Sequence, residues 1–234
     1  MTQSSVRSAF CLAAATVAVG LTILAPDRAQ ADDLDPVALA EACKLRCGAL
    51  KFAGGQTTVC FADYFLSEVA KKTTLKVHTK YTPVTLGTDQ LFETPFCVWS
   101  GNETFTLSQK ERDNLRNYLE GGGFIVASPG CSDSKWDRSF RREMATIFSD
   151  IQMEKIPMTH EIFRTVYEIK ELRNKSKKTV LLEGLTINGR LAMVYSPDGL
   201  NDAGRAKGCC CCGGNEVREA VQANVNIFTY ALLY

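Results

Sequence analysis

The chain has 234 residues, 27 of them basic and 26 acidic. So even a balance excludes the broad basic footprint of a nucleic-acid binder, and the length is ample for one domain with a real core. Ten cysteines are more than a domain of this size needs as staples, so their placement asks for a reason.

Residues 1–31 read as an export segment. Arg7 supplies a positive start, residues 9–25 carry no charge, and Ala29-Gln30-Ala31 is a small-x-small cleavage site, which predicts a mature chain beginning at Asp32. Gly20 and Pro26 suit a cleaved leader better than an anchor; an uncleaved N-terminal anchor is the alternative. No later apolar run approaches the roughly 20 residues of a membrane span, so no stable span is expected after cleavage. The predicted location is periplasmic or secreted, where thiols oxidise, and residues 32–234 read as a single α/β domain.

Along that domain, Asp35-Pro36 opens a short helical turn, and residues 47–52 read as a first strand ended by Gly54-Gly55. Residues 61–71 have helical spacing, with Phe65, Val69 and Ala70 on one side. Residues 75–79 alternate like a half-exposed strand, which puts His78 toward solvent. Residues 95–99 form a short apolar run before Ser100-Gly101, a buried strand by composition. Ser108 and Glu111 have capping-box spacing, Leu115, Tyr118 and Leu119 make the stripe of the helix that follows, and Gly121-Gly122-Gly123 ends it. Residues 124–127 are a second buried strand. This strand–helix–strand unit predicts a parallel sheet covered on both faces.

Trp136, Phe140, Met144 and Phe148 recur every four residues and predict another helix. On it, Arg138, Arg141 and Arg142 lie near Asp137 and Glu143, and an Asp137–Arg141 pair on a solvated face is the plainer reading than an anion clamp. Asn188-Gly189 between two apolar runs is a hairpin signal. Residues 216–233 read as a closing helix with Val217, Val221, Val225, Phe228 and Leu232 on one side.

The most unusual feature is Cys209, Cys210, Cys211 and Cys212, set in a cysteine-rich loop at 208–214 between Gly208 and Gly213-Gly214. Disulfides pinning the loop to the domain, through Cys43, Cys47 or Cys60, are one reading. A thiolate site for zinc or copper, completed by Cys131 or His160, is the other. Losing Cys11 with the leader leaves an odd number of cysteines, so at least one is free, metal-bound or paired between chains; Cys97, inside an apolar strand, reads as a buried thiol. Cys131 follows a buried strand and precedes a helix, the place where many α/β enzymes hold a nucleophile. His160 is its candidate base, with Glu161 or Asp133 as orienting group. The usual glycine after the nucleophile is missing, and a histidine before Ile162-Phe163 more often caps a turn. Asn201-Asp202 offers oxygen ligands, a weak signal.

Several segments carry a family resemblance. Pro95-Phe96 with Gly101, then residues 115–120 running into Gly122-Gly123-Phe124, resemble the bacterial domain-of-unknown-function family 4159. The likeness continues through residues 140–144, Ile147-Phe148, the stretch from Ile156-Pro157 to His160, Ile162-Phe163 and the Asn188-Gly189-Arg190 hairpin. It implies a flavodoxin-like three-layer sandwich with a mostly parallel central sheet, of the glutamine-amidotransferase-like group, without established catalysis. This chain departs from the family in carrying Ser128-Pro129-Gly130-Cys131 where acidic residues are frequent, and Glu161 rather than proline after His160.

The reading favoured on these grounds is an exported binding protein for an unknown ligand or envelope partner. A thiol- or metal-dependent enzyme using Cys131 and His160, and a disulfide-stabilised structural envelope protein, are the alternatives.

Overall fold

The computed structural model describes residues 41–201 and 216–234. Within them the chain forms β1 (Cys47–Phe52), β2 (Gly55–Gln56), helix α1 (Tyr64–Lys72), β3 (Thr82–Thr85) and β4 (Phe96–Gly101). Helix α2 (Gln109–Glu120), β5 (Phe124–Pro129) and helix α3 (Ser134–Ile147) follow, then β6 (Glu154–Lys155), β7 (Glu183–Ile187), β8 (Arg190–Tyr195) and helix α4 (Ala220–Leu233). The strands make one eight-stranded sheet in the order β2-β1-β4-β5-β8-β7-β6, with β3 joined to β1. Strands β3, β1, β4, β5 and β8 are mutually parallel, and the far edge is antiparallel. The chain is thus a mixed α/β protein with a mostly parallel central sheet.

The central unit folds as its residues dictate. Every residue of β4 and β5 is buried, which is why both read as unbroken apolar runs rather than alternating ones. Ser108 and Glu111 complete the capping box of α2, and Gly122, with a φ of +107°, makes the left-handed exit. The Asn188-Gly189 hairpin has φ of +52° and +78°, the pair that a two-residue type I′ turn demands.

Alternate strand residues feed two cores. Phe96, Val98, Phe124, Val126 and Val194 pack with Phe65 and Val69 of α1 and Val225 and Phe228 of α4. Cys97, Trp99, Ile125, Ala127 and Tyr195 pack instead with Leu115 and Leu119 of α2 and Trp136 and Phe140 of α3. Phe228 meets Phe96 edge-on with ring centres 4.8 Å apart. A fully buried phenylalanine of this kind contributes about 1.5–3 kcal/mol, before its aromatic contacts.

Three expectations need correction. Residues 75–79 are not a strand; Val77 makes only an isolated bridge to Leu45, and the strand beside β1 is β3, four residues on the open side of the sheet. Pro83 is tolerated there because an edge strand can spare one backbone donor. His78 is accordingly half-buried, its Nδ1 3.5 Å from Glu41, rather than solvent-facing. The closing helix starts at Ala220, not 216, and is buried almost all round from Ala223 to Tyr230. It packs against the sheet, against α1 and against the turn at Glu161–Phe163, so a one-sided stripe describes it poorly. No helix among the described residues is long and apolar enough to cross a membrane.

Candidate functional site

Parallel strands end together, and in open α/β sheets the groups that bind or react collect at that carboxyl rim. Strands β4, β5 and β8 bring three serines to the same level there. Ser100 and Ser128 are register partners, and the Ser196 N–H donates to Ala127 O, extending the β8 ladder by one step. By strand alternation all three share the face of Val98, Val126 and Val194, toward α4. All three are fully buried.

The groups around this row are polar and incompletely paired. Ser128 Oγ accepts from Leu200 N–H, and Asn224 Nδ2 donates to Leu200 O. Asn201 Nδ2 donates to Pro129 O and to Glu216 Oε2. Among the described residues, Ser100 Oγ, Ser196 Oγ, Asn201 Oδ1 and Asn224 Oδ1 have no hydrogen-bond partner. A buried polar atom left unpaired costs about 1–3 kcal/mol, so four of them in one layer call for a partner such as a bound water or a ligand.

Beside the row, β5 turns into α3 through Gly130, Cys131, Ser132 and Asp133. Cys131 (φ +53°, ψ +36°) and Ser132 (φ +50°) both sit in the left-handed region, each costing on the order of 1–3 kcal/mol for a non-glycine residue. Asp133 then caps α3 by accepting from the Lys135 and Trp136 N–H groups. Ser132 Oγ lies 2.7 Å from Glu216 Oε1 and 3.1 Å from Asp198 O. Burial pushes the Glu216 carboxyl above its usual range, against the hydrogen bonds from Ser132 and Asn201, which pull it down.

The cysteines divide by environment. Cys47 and Cys97 are free thiols with no exposed surface, as expected for Cys97, and burial holds both thiols far up, Cys97 at about 12. Cys60 and Cys131 are disulfide-bonded and do not titrate. Cys209, Cys210, Cys211 and Cys212 lie outside the described residues. Among the described residues no group of three His, Cys, Asp or Glu side chains is placed to hold a metal ion.

His160 is not near Cys131. Its Nδ1 accepts from Ile162 N–H at the head of a short turn, and its ring lies 5.3 Å from that of Tyr230. Tyr230 in turn packs on Phe124, the first residue of β5, whereas Cys131 lies two residues past Pro129, the strand's last. The two candidates are therefore separated by the strand's length, about 17 Å at 3.3 Å per residue, and cannot act as nucleophile and base. Burial lowers the His160 pKa, as suits a neutral capping imidazole. Glu161 ion-pairs with Arg164, and Asp133 is committed to its cap, so neither orients a catalytic histidine. Arg141 makes the expected pair with Asp137 and also a two-pronged one with Glu183; it ties α3 to β7 and is no anion clamp.

Ser100, Ser128, Ser132, Ser196, Glu216 and Asn224 were not singled out by sequence. The signal for three of them was legible: apolar runs ending in Ser100-Gly101, Ser128-Pro129 and Ser196-Pro197. Their alignment needs the strand order, which no local pattern supplies.

The family model described as Domain of unknown function (DUF4159) matches residues 61–232. No curated protein matches the chain.

Proposed function

Since the chain belongs to the DUF4159 family, whose description assigns no activity, we propose from the site itself that it is an exported domain that binds a small polar ligand at the carboxyl rim of its sheet. The observation that carries this is the row of buried serines with Ser100 Oγ, Ser196 Oγ and the Asn201 and Asn224 carbonyls unpaired. Hydroxyl donors beside amide acceptors suit a ligand that both donates and accepts, such as a hydroxylated or amide-bearing small molecule. The parallel strands, taken in chain order, lie second-first-third-fourth-fifth. That order supports a flavodoxin-like three-layer sandwich and, with it, the glutamine-amidotransferase-like grouping; such folds bind at the same rim.

In this reading the cysteine run serves the rim rather than a metal. Cys60 and Cys131 are oxidised while Cys47 and Cys97 are free and inaccessible. Four adjacent cysteines in an exported chain are the densest supply of partners for them. Two disulfides from residues 209–212 would then pin the loop beside the rim, each closing a loop long enough to stabilise by about 4.5–5 kcal/mol in the chain-entropy account.

Two measurements test the proposal. A panel of sugars, amino acids and dipeptides is screened for a rise in melting temperature of the mature chain. A stabiliser at a hundredfold excess over its Kd should add about 2.7 kcal/mol, and Ser100→Ala with Ser196→Ala should abolish the gain. A gain that survives both substitutions places the site elsewhere. Peptide mapping without reductant should join Cys60 and Cys131 to residues 209–212. Recovery of those four as thiols, or of stoichiometric zinc or copper in the purified protein, overturns the disulfide part.

A further inference from the structure

The geometry points to an acyl-transfer centre on the same rim, in which Ser132 is the nucleophile and Glu216 its general base, acting on carboxylic esters. This inference goes beyond ligand binding and does not rest on it. It starts from backbone shape. Ser132 stands on a strand-to-helix turn whose residues 131 and 132 are both left-handed, the strained placement that thrusts a side chain off the end of a sheet. The strain persists because its surroundings hold it: Cys131 is tied by a disulfide, and Asp133 is fixed by two backbone donors.

The second observation is the carboxylate. Glu216 Oε1 lies 2.7 Å from Ser132 Oγ, within reach of the proton it would take, while Asn201 Nδ2 holds Oε2 at 3.0 Å. Nucleophile, base and orienting group are thus in the relation that activates a weak hydroxyl. Asn201 is itself fully buried and anchored to Pro129 O, so the base is positioned by the sheet rather than by a mobile side chain. Partial burial also makes Glu216 a stronger base than a solvated glutamate.

The chemistry closes without a cofactor. Ser132 Oγ attacks the ester carbonyl as its proton passes to Glu216. The attack gives a tetrahedral oxyanion, which then collapses. Collapse breaks the carbon–oxygen bond of the leaving alcohol, which takes the proton back from Glu216. Water, deprotonated by the same carboxylate, then releases the carboxylic acid and restores the serine. A carboxylate is a weaker base than an imidazole, which favours esters of acidic alcohols over amides.

The test uses the mature chain with a fluorophosphonate probe and p-nitrophenyl acetate. Mass spectrometry should find the probe on Ser132. Ser132→Ala should abolish both labelling and turnover. Glu216→Gln, which keeps the shape and the Asn201 contact, should slow both by about a hundredfold or more and remove the rise in rate with pH. Melting curves close to the parent's establish that both variants are folded. Labelling elsewhere, no labelling of the folded parent, or undiminished turnover in Ser132→Ala overturns the proposal. Labelling needs no bound ligand, so its failure leaves the binding site at Ser100 and Ser196 standing.

Discussion

Gly48 on β1 and Cys97 on β4 face each other in register, so closely that a methyl group on Gly48 would lie 2.6 Å from Cys97 Sγ. Val84 and Thr94 leave no room on the other sides, at 3.0 and 3.1 Å. The missing side chain lets β1 seat the buried thiol, to which Tyr118 OH is also directed at 3.7 Å. Gly48→Ala should therefore cost about 1–3 kcal/mol of stability, as overpacking does. Adding Cys97→Ala should return part of that loss, so the double variant is more stable than the sum of the singles predicts. Urea unfolding of the four proteins measures it; strict additivity would mean that the contact relaxes elsewhere.

The same pair shows what was legible in the sequence. β4, α2 and β5 could be read directly, because an apolar run, a capping box at Ser108 and Glu111, and a glycine exit are local instructions. β3 could not, since Thr82-Pro83-Val84-Thr85 is short and carries a proline that only its edge position excuses. The site was less legible still. Cys131 was rightly placed at a strand end, but its pairing with His160 failed because which edge a residue occupies depends on chain direction through the sheet. Ser132, one position on, has no distinguishing neighbour in sequence; its partner Glu216 comes 84 residues later.

Cys47 and Cys97 should be chemically silent in the folded protein. Both are fully buried, and burial raises both thiols, Cys97 to about 12. The thiolate is the reactive form, so at pH 8 almost none is present and no reagent reaches it. Iodoacetamide should modify neither residue in native buffer and both in denaturant. Native modification of Cys97 at a rate near that of an unfolded peptide would contradict its place in the sheet.

Glu143 of α3 is a buried charge held from two sides. Arg112 Nε of α2 contacts it at 2.8 Å, and Arg142 reaches its other oxygen at 3.3 Å. Removing one partner of a buried pair typically costs about 3–5 kcal/mol. Arg142 remains in place here, so Arg112→Met should fall near the lower end, about 3 kcal/mol. Arg112→Met with Glu143→Met should recover most of the loss, because no buried charge is then left unpaired. Thermal unfolding of the single and double variants decides it; a double variant worse than either single would show that the pair contributes net stability.

Glu216 should make the protein less stable as pH rises from acid to neutral. Its folded pKa lies above the unfolded value of about 4.3, mainly through burial. The folded state therefore binds the extra proton in the window between the two values. The stabilising contribution of the protonated form is complete below the unfolded pKa and is lost as pH rises through the folded one. Glu161, Asp150 and Glu171 are held low by Arg164, Arg116 and Arg173 and have the opposite slope, so the whole protein's profile mixes both signs. Subtracting the profile of Glu216→Gln isolates the single residue, since the other carboxylates are common to both proteins. The stability of the variant relative to the parent should climb as pH rises above the unfolded value and level off beyond the folded one. A relative stability that stays flat or declines across that window would mean that the carboxylate is solvated at the rim. It would then be a poorer base for Ser132 than its position implies.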